Sequence, residues 1–160
     1  MKTRKIKFLL LLLAVIFLSA CSEEGTDYRT TYAKQKEKEF FAEEAQKEIR
    51  EIFVRQKKAM ETKDVELYLS DIHPWVRKKE RRIITERFSH PDRFSVNFEI
   101  KEIAVKPVQA KALVKQRTKV LGKGPKYFKD TELEIVMWFS RTGGKWYMTG
   151  TEIRKTSYYE

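Results

Sequence analysis

Cysteine occurs once, at Cys21, so no disulfide can close within the chain and a folded domain must stand on its apolar core. Histidine is nearly as scarce. His73 and His90 each precede a proline and neither belongs to a metal-ligand motif, so no metal is expected, and His73-Pro74 reads as a helix terminator. The few glycines form no GxGxxG, P-loop or nucleophile elbow; Gly122-Lys123-Gly124 reads as hairpin chemistry, and no cofactor is expected. No Pro-rich or Gly-rich linker and no internal repeat divides the chain, which points to one domain.

What is present begins at the N-terminus. Lys2, Arg4, Lys5 and Lys7 precede an apolar run from Phe8 to Leu18, then the small pair Ser19-Ala20. That order reads as a secretory signal peptide, with an apolar run too short to span a bilayer comfortably. Leu18-Ser19-Ala20-Cys21 resembles the bacterial lipobox. The resemblance implies a diacylglyceryl group on the Cys21 sulfur and cleavage between Ala20 and Cys21. Two acyl chains anchor stably where one does not. The expected organisation is a lipoprotein signal peptide over 1–20, a flexible tether over 21–32 and a single α+β domain over 33–160, held on the extracytoplasmic face of the cell membrane.

The chain carries a net charge of +11; the four bases before Phe8 account for part of it and leave +7 on the remainder. Outside a membrane the available polyanions are lipid head groups and envelope polymers, so nucleic acid is the less expected partner.

From about Ala33 to Thr62 the apolar residues Phe41, Ala45, Ile49, Ile52, Phe53 and Met60 fall on one helical stripe. Asp64 is placed to cap a short second helix with Val65, Leu67, Tyr68, Leu69 and Ile72, and a third is expected from Arg77 to Phe88, burying Ile83, Ile84 and Phe88. The period then changes to two. Phe94, Val96, Phe98 and Ile100 alternate with polar residues, and a phase slip before Ile103 predicts a bulge near Glu102. Val108 to Val120, Leu133 to Phe139 and Trp146 to Ile153 supply three more strands, the last two joined by a tight turn at Thr142–Lys145. Helices followed by a four-stranded antiparallel meander make an α+β layout, and a bulged, curved sheet under a helical layer encloses a cone-shaped cavity.

The stretch AMETKDVELYLSDIHP, the helix after it, and FEIKEIAV…AKALVKQRTKV…TELEIVMWFSRTGGKWYMTGTEI resemble the nuclear transport factor 2-like (SnoaL-like, cystatin-like) superfamily over roughly Ala33 to Ile153. The likeness lies in element order, the Lys63-Asp64 bend and the Gly144-Lys145-Trp146 hairpin. It implies the cone fold. It does not select a function, because that superfamily holds isomerases, dehydratases, transport factors, secretion-system subunits and binding-only domains.

Pairing the last two strands about Gly143-Gly144 sets Arg141 opposite Trp146, Phe139 opposite Met148 and Ile135 opposite Glu152. Glu152 then faces the apolar side and is the candidate acid/base, with Tyr68, Asp71, Gln116 and Thr118 as candidate pocket residues. On the opposite sheet face Lys111, Lys115, Arg117 and Lys119 form a basic stripe suited to an anionic surface, beside Val136, Trp138 and Tyr147 as a surface for a partner protein or a second copy. The favoured reading is a non-catalytic membrane-anchored lipoprotein that binds a partner protein or a small ligand, including as a subunit of a conjugation or secretion apparatus. The second reading is a small isomerase or dehydratase using Glu152.

Overall fold

A computed structural model describes residues 28–122 and 128–159. The signal-peptide, lipobox and cleavage readings at Ala20 and Cys21, and the Gly122–Lys126 turn beyond its first residue, lie outside the described residues. The chain divides into two compact units, residues 1–39 and 40–160. The described part of the first is helical and carries local side-chain contacts: Gln35 donates to Glu39 at 3.1 Å and the Lys36 ammonium lies 5.0 Å from the Tyr32 ring centre. Helix α1 (Tyr28–Thr62) therefore begins inside the stretch expected as tether.

In the second unit, Ala45, Ile49, Ile52, Phe53 and Met60 of α1 are all buried, as their spacing predicts. The helix stops at Lys63, whose φ of 56° is left-handed, and the Asp64 N–H closes the end on the Ala59 carbonyl at 2.9 Å. Asp64 then caps α2 (Val65–Ser70), its carboxylate accepting from the Leu67 N–H at 2.9 Å. Helix α3 spans Pro74–Ser89. His73 ends one helix and starts the next, because its Nδ1 accepts the Trp75 N–H at 3.4 Å. Ile84 and Phe88 are buried on α3, but Ile83, expected inside, is 44% exposed. The Ile84–Phe88 pair, four residues apart, sets the inward face, and Ile83 lies about 100° around the helix from it.

Four antiparallel strands follow in the order β1-β2-β3-β4: β1 (Arg93–Val105), β2 (Gln109–Leu121), β3 (Asp130–Thr142) and β4 (Lys145–Tyr159). The β1–β2 register slips between Ile100 and Glu102, where the apolar pattern predicts it. The β3–β4 turn has Gly143 and Gly144 at φ 59° and 80°, a conformation that suits glycine and matches the twist of the flanking strands. β4 is longer than the sequence suggests. One core joins α1, α2, α3 and the inner sheet face, with Phe53 packed edge-on to Phe139 at 5.9 Å between ring centres. Phe98, Val114, Ile135, Met137 and Met148 converge on it as expected.

Candidate functional site

A cavity of about 160 Å³ opens between the helices and the inner sheet face. Gln56 and Met60 come from α1, Tyr68 from α2, and Ile84 and Arg87 from α3; the sheet supplies Phe98, Gln116, Leu133, Ile135, Met137, Met148, Thr151 and Ile153. Its polar fittings are held from behind. Gln56 Nε2 donates to the Tyr68 carbonyl at 2.8 Å, and Gln116 Nε2 donates to Thr118 Oγ1 at 3.1 Å. Both bonds use the amide nitrogen, and the amide oxygens are acceptors that the wall retains. Burial pushes the Tyr68 hydroxyl up to about 12, with the Glu80 charge adding to it, so the phenol remains a protonated donor near neutral pH. Arg87 is fixed over Phe94 and Phe128, 5.9 and 5.7 Å from their ring centres. A smaller cavity of about 40 Å³ shares Tyr68, Met148 and Thr151 and adds Glu80.

The wall of the larger cavity holds Tyr68 and Gln116, as the sequence suggests, while Thr118 sits buried behind it and positions Gln116. Asp71 is committed elsewhere: it is fully buried in an ion pair with Arg55. Glu152 is not in the cavity. The β3–β4 register follows the simple pairing from Arg141 opposite Trp146 to Phe139 opposite Met148, then shifts so that Trp138 faces Gly150 and Val136 faces Glu152. Thr149 is the extra residue, and its hydroxyl donates to the Trp138 carbonyl at 3.1 Å. One inserted residue exchanges the two faces of the positions that follow, here as far as the second shift between Ile153 and Lys155. Glu152 therefore lies on the outer face, with its side chain 58% exposed and Arg154 at 3.9 Å, while Thr151 and Ile153 line the cavity.

The outer face also differs from a uniform basic stripe. Lys115 and Arg117 converge on Glu132, at 2.7 and 2.6 Å. Across the strands Lys115 stands between Glu99 and Glu134, and Glu134 is next to Lys155. Lys111 and Lys119 remain exposed at the two ends, and Lys111 faces Trp138 across the strands. Trp138 is 45% exposed and borders a groove of about 310 Å³ with Lys106, Gln109 and Lys111, while Val136, expected on the same outer face, is buried.

Sequence reasoning missed Gln56, Arg87, Thr151 and Ile153. Only Gln56 leaves a trace in the sequence, as a polar residue spaced three from Phe53 and four from Met60 on an otherwise apolar stripe.

Among solved structures the chain is similar to a conserved protein from Planctomyces limnophilus, with a TM-score of 0.61 and 13% identity, covering 68% of this chain and 94% of that one. It is also similar to an NTF2-like protein of unknown function from Pseudomonas putida (TM-score 0.54, 14% identity, 68% and 84% covered). A cystatin-like protein of unknown function from Nostoc punctiforme is a third (TM-score 0.53, 16% identity, 68% and 88% covered). These likenesses define the class: an α+β domain of the NTF2-like fold. No curated protein matches the chain. Residues 51–159 match the family described as anti-sigma-I factor RsgI9, C-terminal domain, and the chain belongs to that family.

Proposed function

We propose that this chain is a lipid-anchored extracytoplasmic recognition domain, which holds a small neutral ligand in its cavity and engages a partner protein without catalysing a reaction. The cavity wall carries the reading. Its polar groups are two amides, a phenol kept protonated, a threonine and one guanidinium, set among apolar side chains. Such a set suits orientation of an uncharged or weakly polar molecule. An isomerase or dehydratase of the kind the sequence raised needs a carboxylate in the cone, and the position it relied on, Glu152, faces outward. RsgI9 is by name an anti-sigma factor, which supports a protein as the partner. The lipobox resemblance at Leu18–Cys21 supports the anchor.

Two experiments test this. Ligand-observed NMR against a library of small neutral compounds should give binders whose signal is lost on Ile153→Trp, which closes the cavity mouth from an exposed position. Binders unaffected by that change, or none, would sink the cavity reading. Cells producing the full chain should incorporate labelled fatty acid into it, and Cys21→Ala should abolish the label. Retained label would sink the anchor.

A further inference from the structure

A compact, unneutralised positive surface lies on α3. Lys78, Lys79, Arg81 and Arg82 are exposed, and of these Arg81 is paired, with Glu66. Lys78, Lys79 and Arg82 have no carboxylate partner among the described residues. At 100° per residue, Trp75, Lys78, Lys79 and Arg82 share the outward face of α3, opposite the buried Ile84 and Phe88, with Glu86 as the acid among them. Trp75 is 73% exposed on the first turn, and Ile83 flanks the bases at 44%. The His73 ring supports the indole edge-on at 5.8 Å and contacts Tyr147 in the same way at 5.7 Å.

We propose that this face of α3 docks on an anionic phospholipid surface, with Trp75 and Ile83 at head-group depth and Lys78, Lys79 and Arg82 against the lipid phosphates. The chemistry is complementary in both parts. Tryptophan settles at the membrane–water interface, where its ring is buried and its N–H stays wet. Lysine and arginine lay their stems along apolar surface while the charge reaches the head groups. No helix among the described residues is long and apolar enough to cross a membrane, so contact here lies in the plane of the interface. On the sheet, the central bases Lys115 and Arg117 are taken up by Glu132, which leaves Lys111 and Lys119 apart at the two ends of the stripe. The inference is independent of the cavity reading.

The test uses the full chain in vesicles, with Trp138→Phe so that Trp75 and the buried Trp146 are the emitters. Phospholipids brominated near the head-group end of their acyl chains should quench Trp75 in vesicles containing phosphatidylglycerol, and should not in phosphatidylcholine alone. Replacing Lys78, Lys79 and Arg82 together by Gln should reduce the docked-to-undocked ratio on the order of a hundredfold, returning quenching to the phosphatidylcholine level. Raising salt to about 1 M, where screening acts within about 3 Å, should do the same to the unmutated bases. Equal quenching in the two vesicle types, no quenching in either, or quenching indifferent to both salt and the Gln changes would overturn the proposal. The last outcome would assign the contact to the N-terminal segment; no quenching would leave an acidic protein surface as the occupant of α3.

Discussion

Arg55 grips both carboxylate oxygens of Asp71, with Nε 2.9 Å from Oδ2 and Nη2 2.9 Å from Oδ1. The acid is fully buried while the Arg55 side chain is 37% exposed, and the Asp71 carbonyl accepts the Met148 N–H at 2.8 Å. One residue thus joins α1, the α2–α3 connection and β4. Arg55→Ala would leave a buried carboxylate unpaired, and a loss of about 3 kcal/mol is expected, at the low end for such a pair because the arginine is itself partly solvated. Urea unfolding of the variant beside the parent measures it.

The Thr149 bulge controls which residues face the cavity. Deleting Thr149 removes the inserted residue, so the positions after it exchange faces and Glu152 turns toward Ile135. The deletion should destabilise by several times more than Glu152→Gln, which is expected to stay within about 0.5 kcal/mol because that side chain is solvated. Comparable losses for the two changes would contradict the register.

Both the success and the failure of the sequence reading have causes in particular residues. The bulge near Glu102 is legible because apolar residues stand on both sides of it and their phase visibly slips. After Thr149 the chain reads Gly-Thr-Glu, and Ile153 alone remains to report the phase, so simple pairing carries Glu152 to the wrong face. The end of β4, Lys155 to Tyr159, lacks apolar alternation and is a strand because β3 extends far enough to pair with it. The basic stripe is legible within β2. Its neutralisation is not, since Glu99, Glu132 and Glu134 lie on other strands and meet it only through the register.

Hydrogen bonds from Lys115 and Arg117 hold the Glu132 carboxyl down to about 2. Because the folded value is depressed, the associated stability is present above the ordinary glutamate value of about 4.3 and is lost as the pH falls toward 2. Unfolding midpoints should therefore drop across that window, and the drop should shrink in Glu132→Gln. Identical acid profiles would argue against the pairing.

Tyr68 titrates at the other end of the scale. With the folded value near 12 and the unfolded value about 10, the folded state holds its proton longer. The resulting stability is complete below about pH 10 and disappears as the pH rises through 12. In Tyr68→Phe this part of the alkaline loss should vanish. An ultraviolet titration that shows Tyr68 ionising with the exposed tyrosines would count against it.

β3 pairs one side of β4, and on the other side the segment around Ile72 takes up Met148, whose N–H donates to the Asp71 carbonyl at 2.8 Å and whose carbonyl accepts the His73 N–H at 2.9 Å. Past Met148 the outer edge of β4 has no partner strand among the described residues, so its N–H and C=O groups offer a template for a strand of another molecule. The register shifts at Trp138/Phe139 and Glu134/Ile135 interrupt the even spacing that such a strand would need, and Arg154 and Lys155 set charge beside the second shift. The irregularity that turns Ile153 toward the cavity thus also limits how far the sheet can be extended by a foreign chain.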